Sequence, residues 1–158
     1  MRWYVGSDHG GVALRDLLVA HLRTHGHEVL AVLGPAHEGE SVDYPDVAME
    51  VCDRTLADEG SLALLVCGTG QGMAMSANRR RGIRAALVSD VFSARMAREH
   101  NDANALCMGQ RVLGPGLATD LLDAFARARF SGGRHARRVG KIEAITAGDG
   151  RPAEADRS

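Results

Sequence analysis

Val66-Cys67-Gly68-Thr69-Gly70-Gln71-Gly72 lies directly behind the apolar run 62–66, and its reading decides the fold. A buried strand that breaks into a loop with three glycines and then a helix lets backbone N–H groups converge on an anion or a developing oxyanion. Cys67 and Thr69 set a thiol and a hydroxyl beside those donors. Such surroundings favour a thiolate, so Cys67 is placed to act as a base or nucleophile. The plainer alternative is a tight strand-to-helix turn that buries a structural cysteine. Two familiar glycine loops are excluded. A nucleotide P-loop needs Lys-Ser/Thr after its last glycine, and here Gly72 precedes Met73-Ala74. A dinucleotide fingerprint spaces its glycines G-x-G-x-x-G after the first strand, whereas these are spaced G-x-G-x-G after the third.

Outward from this loop, apolar strand-like runs alternate with segments of helical period: 3–6, 12–25, 28–33, 47–56, 62–66, 72–78, 84–88, 92–100, 105–108 and 116–128. Within 12–22 the apolar residues recur three and four apart, and Gly26 supplies a stop. The strand runs are nearly continuous, as in a parallel sheet covered on both faces. The expectation is an α/β, doubly wound, Rossmann-like three-layer sandwich with a five-stranded parallel sheet. The arginine-rich segment 134–145 reads as a C-terminal helix. One domain over 1–147 is expected, followed by a polar, disordered tail over 148–158.

The 158 residues, 45% of them hydrophobic, suffice for one good core, with no Ser/Pro-rich linker to divide it. The formal charge is −1, and apart from Arg79-Arg80-Arg81 and the segment 134–141 the basic residues are scattered. That pattern argues against a nucleic-acid or membrane surface and leaves small anions as partners. Cys52, Cys67 and Cys107 are odd in number and lie in apolar surroundings, which argues against a secreted disulfide framework. With no apolar signal region at the start and no run of membrane-spanning length, a cytoplasmic location is expected.

Ligands of open parallel sheets bind beyond the carboxyl ends of the strands. The residues there are chemically rich: Ser7-Asp8-His9-Gly10-Gly11, Asp43-Tyr44-Pro45, Cys67-Gly68-Thr69-Gly70, Ser89-Asp90 and Gly109-Gln110-Arg111, with His100-Asn101-Asp102 added from the end of helix four. Asp8 also has a routine reading as a helix N-cap, and His100 as a cation at a helix C-terminus. Arg134 and Arg138, four apart after Gly132-Gly133, share a helix face suited to phosphate, although charge runs are usually solvated. His21, His25, His27 and His37 show no metal spacing with Cys or Asp and read as surface or packing residues. Cys52 and Cys107 read as core.

Gly6-Ser7-Asp8-His9-Gly10-Gly11, Asp43-Tyr44-Pro45, Cys67-Gly68-Thr69-Gly70-Gln71-Gly72, Arg95 with His100-Asn101-Asp102-Ala103-Asn104, and Gly132-Gly133-Arg134-His135 with Arg137-Arg138-Val139 occur in one order over 1–145. In these blocks the sequence resembles the type B ribose-5-phosphate isomerases, of the superfamily that includes galactose-6-phosphate isomerase. The resemblance implies that Cys67 moves a proton between C1 and C2 of a sugar phosphate through a cis-enediolate. Thr69 and the loop N–H groups of Gly68, Gly70, Gln71 and Gly72 would steady the charge on oxygen, each such donor being worth roughly 3 kcal/mol. It further implies that His100, with Asp8 nearby, opens the sugar ring and that Asn101 holds hydroxyls or the enediolate. His9, Arg111, Arg134 and Arg138 match phosphate-binding positions. No metal or organic cofactor is implied, and a homodimer or a pair of dimers is. A branch of the family takes its base from a glutamate at the position of Met73, so here Cys67 has no competitor. Allose 6-phosphate, galactose 6-phosphate and a tetrulose phosphate are rival substrates. A receiver-like signalling module would need an Asp after strand three and a Lys after strand five, where Cys67 and Arg111 stand.

Overall fold

The computed structural model describes residues 1–146; the expected tail at 148–158 lies outside the described residues. Five strands, β1 (Arg2–Ser7), β2 (Glu28–Leu33), β3 (Leu62–Cys67), β4 (Ala85–Leu87) and β5 (Ala105–Gly109), form one sheet in the order β2-β1-β3-β5-β4. Every strand pair is parallel. The helices are α1 (Val12–Thr24), α2 (Tyr44–Ala57), α3 (Gln71–Ala77), α4 (Val91–Asn101), α5 (Pro115–Arg127) and α6 (Arg134–Thr146), with a short 3-10 turn at His9–Gly11 before α1.

The three layers follow from which apolar face each helix presents. Leu14, Leu18 and Leu22 of α1, Ala94 and Ala97 of α4, and Leu121, Leu122 and Phe125 of α5 pack with Trp3, Val5, Leu64, Leu106 and Met108 on one side of the sheet. On the other side Val47, Val51 and Cys52 of α2 and Met73, Ala74 and Ala77 of α3 meet Ala63, Leu65, Cys67, Ala105 and Cys107. Full burial of each large side chain stabilises the fold by about 1.5–3 kcal/mol. The central strands β3 and β5 are buried at every residue, which is why they read as unbroken apolar runs. Strand β2 has the same composition but alternates between exposed and half-buried because it forms one edge. Burial pushes the Cys52 thiol up to about 12 and the Cys107 thiol higher still, in keeping with inert core residues. Among the described residues no helix is long and apolar enough to cross a membrane.

β5 is inserted between β3 and β4, so the chain leaves β1 toward one edge and β3 toward the other. The crevice between β1 and β3 is therefore the point where the winding reverses, and ligands of open α/β sheets bind there.

Candidate active site

Two loops meet over that crevice. Strand β1 delivers Asp8 and His9, and β3 delivers Cys67 and the glycine loop. Their backbones touch: Asp8 N–H donates to the Val66 carbonyl at 3.3 Å, and a Cβ on Gly10 would stand 3.2 Å from Gly68 N. Gly70 adopts φ 79°, and a Cβ there would lie 2.5 Å from Leu87 Cδ1 and 2.8 Å from the Met108 carbonyl carbon. Glycine is thus required for conformation and for space. This turn aims Gly70 N–H at Cys67 Sγ, 3.0 Å away. A backbone donor on a cysteine sulfur stabilises negative charge there. Met73, buried within the same apolar cluster as Cys67, brings no competing base.

The rim completes a polar pocket. Asp8 is 8% exposed, and one of its oxygens accepts from Gly10 N–H at 2.9 Å. Burial holds its carboxyl above the ordinary carboxylate range, opposed by the Gly10 hydrogen bond and by the charges of His9 and Arg111. His9 Nδ1 is buried without a partner among the described residues, a polar atom left for a ligand or water. Arg111 follows β5; its N–H donates to the Gly68 carbonyl at 3.0 Å, and its guanidinium lies 3.5 Å from where a Gly68 Cβ would be. Thr69 is exposed, and its hydroxyl accepts from Gln71 N–H at 3.4 Å. Tyr44, which carried no assigned role in the sequence, lays its ring on Gly72, 2.7 Å from a would-be Cβ. A depression of about 310 Å³ alongside is bordered by Thr69, Gln71, Leu87, Val88, Gly109 and Val112.

His100, Asn101, Arg134 and Arg138 are elsewhere. Helix α4 starts beyond the carboxyl end of β4 and runs back, so His100 sits at the amino end of the sheet, about 14 Å along the helix from Val91. Asn104, three residues beyond Asn101, fixes that level: its carbonyl accepts from Ala63 N–H near the start of β3, and its amide N–H donates to the Arg84 carbonyl just before β4. The expectation that Asp8 lies near His100 is therefore corrected within one chain, because the two stand at opposite ends of the strands. Helix α4 runs antiparallel to the strands, so its C-terminal residues lie at the opposite end of the sheet from the strand ends.

That second cluster is ordered. Arg84 donates to the carbonyls of Asn101 and Asp102 and pairs with Asp102 and Glu143, and Ser131 N–H donates to the Glu99 carbonyl at 2.9 Å. The start of α6 is thereby set against the end of α4. His135 stacks on His100 with ring centroids 4.2 Å apart and planes 6° from parallel. Desolvation, with the charges of His100, Arg134 and Arg138, holds His135 below the usual imidazole range. Its contact with His100 could not be read from spacing alone. Arg134 and Arg138 are exposed, without a carboxylate partner among the described residues.

Comparison with known proteins bears on this arrangement. The model of the family described as Ribose/Galactose Isomerase matches residues 4–142. The chain belongs to that family. Its likeness to ribose-5-phosphate isomerase B of Escherichia coli is 42% identity over 140 residues, covering 89% of this chain and 93% of that one. The structure of Clostridium thermocellum ribose-5-phosphate isomerase B superposes with a TM-score of 0.90 at 44% identity, covering 94% of this chain and 99% of that one. The type B ribose 5-phosphate isomerase of Trypanosoma cruzi gives 0.87 at 38% identity, covering 94% and 99%. Membership of the ribose/galactose isomerase family extends over both polar clusters, the one around Cys67 and the one around His100.

Proposed function

We propose that the protein interconverts ribose 5-phosphate and ribulose 5-phosphate, with residues 1–147 acting as one catalytic unit. The observation that carries this reading is the Gly70 N–H aimed at Cys67 Sγ in a loop that also offers the Gly68, Gln71 and Gly72 amides. The Cys67 thiolate takes the C2 proton of the open-chain aldose. Charge then develops on the C1 oxygen, where the loop amides and the Thr69 hydroxyl stabilise it as a cis-enediolate. A proton passes from the C2 hydroxyl to the C1 oxygen, and return of the proton from sulfur to C1 leaves the carbonyl at C2 and a hydroxyl at C1, so no atom or electron is gained or lost. No step in this sequence calls on a metal or an organic cofactor.

Ring opening and part of the phosphate grip come from a second copy of the chain. One chain carries Cys67, Asp8, His9 and Arg111 at one end of its sheet and His100, Asn101, Arg134 and Arg138 at the other. A homodimer, alone or paired into a tetramer, brings unlike ends together and makes two complete sites. Leu87, Val91, Phe92 and Val112, all at least 43% exposed around the Cys67 end, give such a contact its apolar area. In the assembled site His100 of the partner subunit moves a proton to the ring oxygen, opposite Asp8. His9 and Arg111 hold the phosphate with Arg134 and Arg138 of the partner subunit. Three free, buried cysteines suit a reducing compartment such as the cytoplasm.

The test is the purified homomeric protein assayed against ribose 5-phosphate, allose 6-phosphate, galactose 6-phosphate and a tetrulose phosphate. Ribose 5-phosphate is expected to give the highest kcat/KM. A higher value for another sugar would replace the substrate and keep the chemistry; no turnover of any would overturn the isomerase reading.

A further inference from the structure

Outside both clusters, between α1 and α5, the fold assembles a group of side chains that the chain keeps well apart. His21, in the last turn of α1, and His25, which caps that helix, are one turn apart, with rings stacked at 4.0 Å between centroids. Asp123 arrives from α5, and its Oδ1 lies 2.8 Å from His21 Nε2. The sequence shows no metal spacing for these histidines because the acidic partner of His21 lies 102 residues away. One donor atom each from His21, His25 and Asp123 falls within 4.8 Å of the others.

We propose that His21, His25 and Asp123 bind one divalent transition-metal ion of the zinc, nickel or copper class, joining α1 to α5. The donor chemistry points to that class: two imidazoles and one carboxylate suit borderline cations and discriminate against magnesium and calcium, which prefer all-oxygen shells. The tautomer is suitable as well. His25 Nδ1 lies 2.9 Å from the His21 carbonyl, which can only accept, so Nδ1 carries the proton and Nε2 keeps its lone pair. A tetrahedral shell with metal bonds of about 2.0–2.1 Å places donor atoms about 3.4 Å apart, within reach of small side-chain rotations here. Arg127 holds the other Asp123 oxygen at 2.7 Å, orienting the carboxylate and leaving Oδ1 for the ion. A depression of about 250 Å³ beside the cluster, bordered by His25, His27, Asp123 and Arg129, leaves room for water in the remaining positions. The guanidinium groups of Arg127 and Arg129 and the Met1 amino group are positive neighbours, so affinity in the micromolar rather than the picomolar range is expected.

The inference is independent of the isomerase reading and is tested on the full chain carrying Cys67→Ala, which removes the Cys67 sulfur from competition for the metal. Titration with Zn²⁺ by calorimetry is expected to show one ion per chain and a Tm that rises with Zn²⁺ concentration. Co²⁺ should give the visible absorption of a site with nitrogen and oxygen ligands. His25→Ala and Asp123→Asn should each weaken Zn²⁺ binding by about 10-fold or more. His37→Ala, an exposed histidine elsewhere, should change nothing. Absence of saturable binding overturns the proposal, as does binding that survives both substitutions undiminished.

Discussion

At the carboxyl ends of the strands, Asp8 and Cys67 are buried and their neighbours are fixed by backbone hydrogen bonds and by glycines that admit no Cβ. At the amino ends, Asn101, Arg134 and Arg138 stand exposed, although the backbone carrying them is tied down by Arg84 and Ser131. The first region is finished within one chain, as the proposed proton transfer requires. The second is a set of cations and amide groups held in place but not yet desolvated, so its electrostatic strength depends on something else covering it. Differences of burial between two ends of one sheet thus separate a region complete within one chain from one that the proposed dimer would complete.

The comparison breaks most readily at the two extremes. Cys67→Ala should lower kcat by at least about 10²-fold with an unchanged melting curve, the low end for a positioned acid–base group. His100→Asn should be comparably damaging on a cyclic sugar phosphate and far milder on one that cannot cyclise. Mixing and refolding the two inactive variants in equal amounts should restore about a quarter of wild-type activity, since half the dimers are then mixed and each has one intact site. Mixtures no more active than their components would place both residues in one chain's site.

A smaller effect is expected from the phosphate side. Arg134→Ala and Arg138→Ala should each lower kcat/KM on the phosphorylated sugar by about 10-fold or more, the size of one charge-assisted hydrogen bond. Arg137→Ala, on another face, should cost less. An undiminished preference for phosphorylated over unphosphorylated sugar in both variants would return α6 to an ordinary solvated helix. Gly70→Ala probes the finished end instead. Strain at φ 79° and collision with the Met108 backbone should destabilise the protein by about 1–3 kcal/mol, read by denaturant unfolding, and lower turnover by displacing the amide on sulfur.

The gentlest test uses pH. Burial raises Asp8, so between its unfolded and folded values the native chain holds an extra proton, and stability is lost as pH rises through that window. Asp8→Asn removes the charge and keeps an oxygen to accept from Gly10. Its Tm should therefore exceed that of the wild type at neutral pH, with the difference shrinking as pH falls into the acid range, while activity drops. A Tm difference that grows on acidification contradicts the assignment.

How much of this was legible in the chain varied with how local the cause is. The Cys67 loop was readable because one buried strand, its glycines and the following helix are contiguous, and the constraint on Gly70 arises within a few residues. Strand β4 shrank from the expected 84–88 to Ala85–Leu87, with Arg84 turned to the Asp102 and Glu143 carboxylates. His100 lies at the other end of the sheet from the strand ends with which the sequence groups it, because a strand-end rule says nothing about where a returning helix stops. His135 and the His21–Asp123 pair escaped because stacking and packing between helices distant in sequence leave no periodic trace.

The far position of His100 on α4 also restricts how two chains can be arranged in space. A two-fold axis parallel to the strands would keep both sheets pointing the same way, setting Cys67 level with Cys67 and His100 level with His100. Unlike ends meet only if the axis lies close to perpendicular to the strands, so in the proposed dimer the sheets of the two copies would run in opposite directions. The parallel pairing of β4 with β5, which obliges α4 to run backward from β4, would therefore dictate the polarity of the proposed dimer as well as the fold of its parts.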